Sequence, residues 1–303
     1  MRQSGLRWVA AALVTALAVA WLSRVDTAAV QAAAGALGPQ PLLGAVVVFL
    51  LVHDLRCRRF AHLMGQTDIR AAWTVGGVGF MAINTLPLRL GEGVRPWLMV
   101  RRGGTWTEGA AAVAVERLWD AVGLGALAVV SFGGLGWARP EAAWVALGVG
   151  AVGVGAVAWG REGIQRGIER GSPTWAVTLR PAFDVLARAS ADPREVLWVG
   201  GLTVGIWLGS VVWVGAVLTG MPGMPPGPAV VGATWVSTLM GMAVAPTPGF
   251  VGGFEAACAT ALSAAGQPWE QAMAAAVVLH GVHLGFTVLV GLPSLAIEAL
   301  RGR

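Results

Sequence analysis

Charged residues are scarce in this sequence of 303 residues: Asp, Glu, Lys and Arg together make up 12% of it, whereas hydrophobic residues make up 56%. This balance excludes an ordinary soluble domain, in which about a quarter of the residues are charged. Lysine is absent, and all 21 basic residues are arginine. We attribute the net charge of +5 to membrane topology, because there is no soluble domain to present a basic face to nucleic acid.

Cysteine is also rare, and the familiar enzyme motifs are missing. Cys57 and Cys258 lie in or beside apolar runs, so we interpret both as packing residues. The sequence has no nucleophile elbow, Walker loop, dinucleotide fingerprint or zinc-ligand spacing. We therefore expect no catalytic residue, no cofactor and no metal, in a protein that is not an enzyme.

Long apolar runs are what the sequence has instead. They recur near 6–23, 41–55, 71–86, 109–132, 142–160, 196–219, 229–245 and 270–297. A helix that crosses a bilayer needs about 20 apolar residues. The runs predict an all-α integral membrane protein with one polytopic domain over residues 1–303.

The arginines indicate how these runs cross the membrane. If every run crossed once, several arginine-rich segments would lie outside, against the positive-inside rule. If 71–100 and 229–267 instead enter and return on the same side, six spanning helices remain and both termini are cytoplasmic. Eighteen arginines then lie inside, Arg24 and Arg139 lie outside, and Arg117 lies within a span. We therefore predict two re-entrant hairpins.

The two halves of the sequence, roughly 1–135 and 140–303, resemble each other. A constant offset of 163 residues lays 103–122 on 266–285 and matches Trp106 to Trp269, Glu92 to Glu255, Arg117 to His280 and Asp120 to His283. Because one hairpin enters from each side, the halves have opposite topology, which is typical of transporters built from inverted repeats. Between the matched segments, 161–195 carries six arginines and predicts a cytoplasmic loop with amphipathic helices or a solvated loop.

The segment NTLPLRLGEGVRP, residues 84–96, is unusually polar for the tip of an apolar hairpin. We assign its backbone reversal to Asn84, Pro87 and Gly91, and its polar side chains are Arg89, Glu92 and Arg95. Arginine and glutamate three residues apart can share a helix face. Guanidinium groups beside free backbone N–H groups can also hold a phosphate. A phosphate site and a salt-bridged knot that only holds the hairpin explain this cluster equally well.

A second charged group lies inside an apolar run. Glu116 and Asp120 are one helical turn apart, and Arg117 lies between them. Ionisable groups within a span are costly and usually face a partner or a water-filled cavity. We expect these residues to line a cavity and Arg117 to pair with Glu92 or a neighbouring acid.

The segment APTPGFVGGFEAA, residues 245–257, predicts the tip of the second hairpin. Its backbone reversal is assigned to Pro246, Pro248, Gly249, Gly252 and Gly253. Glu255 follows in the first turn of the next helix, where a negative charge suits the helix dipole. A helix cap explains Glu255 by itself, but its match to Glu92 favours a paired gating or proton-linked role.

Two histidines, His280 and His283, lie one turn apart in the last apolar run. No third ligand is evident nearby, so we expect hydrogen bonds across the bundle or to Glu255 in preference to metal binding. His53, at the end of the second run, is interpreted as a structural residue at the membrane interface.

Three motifs together resemble the lysylphosphatidylglycerol synthase transmembrane (flippase-like) family: NTLPLRLGEGVR at 84–95, ERLWD at 116–120 and PTPGFVGGFE at 246–255. Phe250 and His280 depart from the residues common in that family, glycine and arginine. The family includes the lipid-translocating half of the bacterial multiple peptide resistance factor. The resemblance implies two re-entrant hairpins around a lipid-headgroup cavity in a bacterial-type cytoplasmic membrane. The chain ends at Arg303 after its last span, so we expect the synthase activity to be absent.

The function expected from this resemblance is lipid translocation between leaflets, with membrane lipids as the binding partners. The expected substrate is an anionic or modified phospholipid or a related lipid. Its phosphate would contact Arg89 and Arg95, with Arg117 as a third candidate. Glu92 and Glu255 would pair with the arginines or histidines. Two alternatives stay open: a scaffold that presents lipid to a separate membrane-associated synthase or glycosyltransferase, and a secondary transporter of a small anion.

Overall fold

The computed structural model describes residues 25–136, 174–190, 192–221, 223–224, 227–245 and 247–301, with a few isolated positions besides. The predicted spans at 6–23 and 142–160 lie almost entirely outside the described residues, as does the first part of the predicted loop 161–195. Within the described ranges the chain is all-helical and has no strands, so the all-α prediction is confirmed for this part of the chain.

Ten α-helices follow one another along the described residues: α1 Thr27–Ala36, α2 Pro39–Leu63, α3 Ile69–Thr85, α4 Val94–Arg101, α5 Trp106–Gly134, α6 Thr174–Ser190, α7 Pro193–Thr219, α8 Pro228–Val244, α9 Gly253–Ala264 and α10 Trp269–Arg301. Three of them, α2, α7 and α10, are long and apolar enough to cross a membrane. Helix α5 is comparably long, with 29 residues, but its first half carries four charged side chains.

The predicted hairpin at 71–100 consists of α3, a 3₁₀ helix over Pro87–Gly93, and α4. The carboxylate of Asp68 starts α3 by accepting hydrogen bonds from the backbone N–H groups of Arg70 and Ala71. Gly91 lies against the end of α3, where an added Cβ would be 2.2 Å from the backbone nitrogen of Ile83. The tip therefore packs back onto the helix that leads into it.

The predicted hairpin at 229–267 consists of α8, a 3₁₀ turn over Pro248–Phe250, and α9. Gly249 and Gly252 adopt positive φ angles of 65° and 89°, which glycine tolerates without the clash that a Cβ introduces. The two arms approach so closely that a Cβ on Gly241 would lie 2.2 Å from the carbonyl oxygen of Gly253. Pro246 lies outside the described residues.

The core joins both hairpins to the long helices. Helix α3 packs on α10, α2 packs on α7, and α8 with α9 closes the other side. Where these helices meet, aromatic rings fill the interior: Phe49, Trp213, Trp235, Phe254 and Phe286. Helix α6 falls within the predicted loop 161–195 and packs on α5, with Val185 and Ala189 buried. Two clusters of polar side chains lie among the same helices.

Candidate functional site

The first cluster is a charged network around Glu116 of α5. Glu116 is 2% exposed and forms an ion pair with Arg95 of α4. Arg59 of α2 is equally buried and lies 3.7 Å from the same carboxylate, between Nε and Oε1. Arg59 also donates hydrogen bonds to Asp120 Oδ1 at 2.8 Å and Thr203 Oγ1 at 2.9 Å. One carboxylate thus lies between two guanidinium groups, which makes the burial of all three tolerable.

Arg117 links this network to the tip of the first hairpin. Its guanidinium donates to Asp120 Oδ2 at 3.2 Å and lies 3.6 Å from Glu92 Oε2. The prediction that Arg117 pairs with Glu92 or a neighbouring acid is confirmed. In contrast to the buried Arg59, the Arg117 side chain is 47% exposed, so this part of the network reaches the surface.

Within the hairpin, Glu92 and Arg95 are not paired in the described structure. Glu92 belongs to the 3₁₀ helix, whereas Arg95 belongs to α4. Glu92 pairs with Arg117 and Arg95 pairs with Glu116. The stem of Arg95 crosses Gly79 of α3, where an added Cβ would lie 2.3 Å from Arg95 Cγ. Its guanidinium then covers the ring of Phe60 at 4.6 Å. Arg89 lies in the 3₁₀ helix, and its side chain is outside what the structure describes.

A cavity opens beside the network. Its wall is shared by α2, α3, α4 and α5 and includes His53, Arg56, Arg95, Glu116 and Asp120. The space that the centre of a water molecule can occupy is about 40 Å³, which is room for roughly three waters. Arg59 Nε and Arg95 Nε are buried without a hydrogen-bond acceptor among the described residues. The cavity is therefore lined with donors that a water or an anion could engage.

Arg56 differs from its neighbours because no described carboxylate lies within ion-pair distance of it. It is half-buried and lines this cavity. Around the network, four described guanidinium groups, those of Arg56, Arg59, Arg95 and Arg117, meet three carboxylates, those of Glu92, Glu116 and Asp120. One positive charge is left without a partner in the described structure.

Sequence reasoning missed the contribution of α2. The positive-inside count placed Arg56 and Arg59 with the cytoplasmic arginines, and His53 was interpreted as an interfacial residue. Helix α2 instead continues to Leu63, eight residues beyond the predicted run, and His53 and Arg59 are 3% and 2% exposed. The spacing of positions 53, 56, 57 and 60, which places them on one helical face, was the available signal.

The second polar cluster lies between α9 and α10. Glu255 is 3% exposed, and its Oε1 lies 2.7 Å from Nδ1 of His280, which is 4% exposed. Its other oxygen accepts the backbone N–H of Gly252 at 2.8 Å. Glu255 therefore caps α9 and also partners His280, as the sequence predicted. The ring of His280 stacks on Phe254 with centroids 4.2 Å apart.

His283, one turn along α10, reaches back to the first hairpin. Its Nε2 lies 2.9 Å from Oδ1 of Asn84, and Asn84 Nδ2 donates to the carbonyl oxygen of Phe80. Since that bond fixes Oδ1 as the acceptor, His283 carries its proton on Nε2. The other ring nitrogen, Nδ1, is buried without a partner among the described residues.

A comparison with protein families assigns the chain to a known family of membrane proteins. Residues 8–291 match the family model described as Lysylphosphatidylglycerol synthase TM region. The chain belongs to the lysylphosphatidylglycerol synthase TM region family. It is a multi-pass membrane protein. No curated protein and no solved structure matches the chain.

In this lysylphosphatidylglycerol synthase TM region protein, the structure brings the predicted site residues into two groups. The first cluster contains Glu92, Arg95, Glu116, Arg117 and Asp120. The second contains Glu255 and His280. Pro87 and Pro248 begin the two 3₁₀ helices. Within the described ranges, no three His, Cys, Asp or Glu side chains converge as they would around a metal ion.

Proposed function

We propose that this protein moves a phosphodiester lipid between membrane leaflets without changing it chemically. The observation that supports this most directly is the positive charge of Arg56, which lines the cavity and has no carboxylate partner among the described residues. A phosphodiester carries one negative charge at neutral pH and accepts several charge-assisted hydrogen bonds. Its phosphate would neutralise the excess charge and accept from the free Nε donors of Arg59 and Arg95.

The acyl chains would stay in the bilayer while the headgroup enters the cavity. In this proposal Arg95 binds the phosphate, as expected from the sequence, together with Arg56 and Arg59 of α2. Arg117 pairs with Glu92 at the tip of the first hairpin. Because the cavity now holds only roughly three waters, the first hairpin must move away from α2 and α5 to admit a headgroup. The half-exposed pair of Arg117 and Glu92 would break in that step, since exposed ion pairs contribute little stability.

Movement between leaflets requires access from both sides, and the paired centres support an inverted repeat. Glu92 pairs with Arg117 at 3.6 Å, and the residues 163 positions later, Glu255 and His280, pair at 2.7 Å. Each pair joins a hairpin tip to the long helix that follows it. Two structurally equivalent gates of opposite orientation are what alternating access needs. We place the protein in a bacterial-type cytoplasmic membrane with both termini inside.

The test is leaflet exchange in proteoliposomes that contain fluorescent phosphatidylglycerol. An impermeant reductant bleaches the outer leaflet, and the rate at which protected fluorescence is lost reports lipid movement. We expect Arg56→Gln to slow exchange about tenfold, as expected for loss of a charge-assisted hydrogen bond. Arg58→Gln is the matched control, because Arg58 is 53% exposed and pairs with Asp54 outside the network.

Each other outcome points to a different function. If exchange is equally fast in Arg56→Gln and Arg58→Gln, the lipid phosphate does not bind in the proposed cavity. Uptake of soluble glycerol phosphate without lipid exchange would favour a small-anion transporter. A folded protein that moves neither, and that purifies with a membrane-associated synthase or glycosyltransferase, would favour the lipid-presenting scaffold.

A further inference from the structure

The pair formed by Glu255 and His280 has the features of a proton-binding site. Both side chains are at most 5% exposed, and Glu255 already receives the N–H of Gly252. His280 Nε2, on the far side of the ring, is buried without a partner among the described residues. A buried polar atom without a partner is rare in a folded protein and calls for an explanation. Exchange of a proton at this nitrogen provides one.

A second histidine of α10, His283, lines a cavity. His280 and His283 lie three residues apart on α10 and share a face. Nδ1 of His283 is buried and has no hydrogen-bond partner among the described residues. A second, smaller cavity lies beside it, lined by His53, Arg56, Trp213 and His283 among others, with about 20 Å³ open to the centre of a water. That is room for about one water molecule.

Arg56 and His53 line both this small cavity and the larger one. The two cavities therefore share part of their wall, and the second polar cluster reaches that wall through His283. Helices α3, α7 and α8 present Asn84, Trp213 and Trp235 to His283, none of which titrates near neutral pH. The titratable and charged groups that face the centre are Cys258 on α9, His283 on α10, and His53 and Arg56 on α2.

We propose that the Glu255–His280 pair binds one proton for each phosphodiester lipid moved, so that a proton gradient drives translocation. This inference rests on the lipid-translocase function proposed above. In the empty pair, Glu255 is ionised and His280 holds one proton on Nδ1, for a net charge of −1. One further proton adds to Nε2 of His280, and the pair becomes neutral. Release returns the same proton to water, and no other bond changes.

The sign of the coupling follows from Arg56. Without lipid, its positive charge has no carboxylate partner among the described residues, and a proton added to His280 would raise the positive charge of the interior further. A bound phosphodiester cancels that charge and favours protonation. Proton and headgroup therefore bind together, and the loaded site carries no net charge beyond that of the empty, proton-free site. An extra buried charge is costly in a membrane. The protein therefore moves the headgroup between leaflets when both the lipid and the proton are bound.

Proteoliposomes with an imposed pH gradient test this coupling. Valinomycin and equal potassium on both sides hold the membrane potential at zero, an internal dye reports pH, and phosphatidylglycerol distribution is read by reductant bleaching. For one proton per lipid, each pH unit of gradient should shift the ratio of labelled lipid between leaflets about tenfold, away from the acidic side. The internal pH should change in step with the lipid.

Glu255→Gln separates titration from structure. The glutamine can still accept the N–H of Gly252 and donate to His280 Nδ1, so the cap and the contact between α9 and α10 are kept. We expect this variant to exchange lipid with an equal distribution at every gradient. His62→Gln is the matched control, because His62 pairs with Glu195 at 2.5 Å in a part-exposed position away from both cavities. It should retain the tenfold shift.

The outcomes are separable. Lipid exchange in the wild-type protein that ignores the gradient overturns proton coupling and leaves the translocase intact. A gradient-dependent distribution that survives in Glu255→Gln overturns this site as the proton carrier. If the wild-type protein moves neither lipid nor protons, both proposals are overturned.

Proton uptake on binding gives a second readout that does not require transport. Short-chain phosphatidylglycerol is titrated into the detergent-purified protein in two buffers with different heats of ionisation. The difference in binding heat gives the number of protons taken up, which should be close to one for the wild-type protein and close to zero for Glu255→Gln. Binding without proton uptake in the wild-type protein would contradict the proposal.

Discussion

Asn84 and His283 are 199 residues apart in the sequence and are joined by a hydrogen bond of 2.9 Å between Oδ1 and Nε2. Asn84 is near the end of α3, where the chain enters the tip of the first hairpin, and His283 lies within α10. Both side chains are at most 5% exposed. The bond therefore connects the first hairpin directly to the helix that carries the second polar centre.

Removing this bond should destabilise the protein measurably. Asn84→Ala leaves the Nε2–H of His283 buried without an acceptor, which costs about 1 to 3 kcal/mol. We expect a lower unfolding temperature in detergent, measured by differential scanning fluorimetry. Thr85→Ala serves as the neighbouring control, because Thr85 is exposed and its hydroxyl bonds only to the carbonyl oxygen of Met81.

A double-mutant cycle isolates the pair. In a His283→Phe background the buried donor is gone, so Asn84→Ala should cost much less there than in the wild-type protein. If the two costs are equal, the hydrogen bond contributes nothing and the prediction is wrong.

Glu116 should be the most sensitive position of the charged network. Glu116→Gln removes the carboxylate that lies between Arg59 and Arg95. Loss of one partner of a buried ion pair costs about 3 to 5 kcal/mol, because the remaining charge has no compensation. Glu270→Gln, on the exposed first turn of α10, should change stability by less than about 0.5 kcal/mol.

Thermal unfolding of the two variants in the same detergent provides the comparison. The double variant Glu116→Gln/Arg95→Gln should recover part of the loss, because it removes the charge of Arg95, whose described carboxylate partner is Glu116, whereas Arg59 keeps its pair with Asp120. A Glu116→Gln protein as stable as Glu270→Gln would show that the network contributes little to folding.

The contact between the first hairpin tip and α3 should tolerate no added methyl group. An alanine Cβ at position 91 would lie 2.2 to 2.4 Å from backbone atoms of Ala82 and Ile83. Backbone cannot move aside as a flexible side chain can, so Gly91→Ala should cost about 3 kcal/mol. It should also slow lipid exchange by displacing the tip that carries Glu92.

Gly281→Ala is the matched control on α10. An added Cβ there meets nothing within 4 Å, and alanine favours a helix over glycine by about 0.5 to 1 kcal/mol. This variant should be as stable as the wild-type protein or slightly more so. Equal unfolding temperatures for Gly91→Ala and Gly281→Ala would contradict the close packing of the tip.

Cysteine labelling should reveal the opposite orientation of the two hairpins. Arg101 and Ala264 are exposed residues at the ends of α4 and α9, and the offset of 163 residues matches them. With an impermeant maleimide on intact cells, Ala264→Cys should be labelled from outside, whereas Arg101→Cys should require permeabilised cells. The buried Cys57 and Cys258 should stay unlabelled in the wild-type protein. Both variants labelled from one side would exclude an inverted repeat.

The sequence by itself was sufficient to predict the helical membrane class and the bounds of both hairpins to within a few residues. Apolar run length, proline and glycine are local signals, and the arginine count constrains topology without any contact being known. The sequence also predicted that Arg117 pairs with Glu92 or a neighbouring acid, and that the histidines bond across the bundle or to Glu255, because ionisable groups inside an apolar span need polar partners.

Only the tertiary structure decided which charges share a cavity. The apolar run ended near residue 55, so nothing in it indicated that α2 continues to Leu63 and buries Arg59 beside Glu116. The bond of Asn84 to His283, and the position of Arg56 on the wall of both cavities, likewise depend on the packing of helices far apart in the chain. Hydropathy and spacing describe each helix alone, whereas the partner of a buried charge is set by which helices pack together.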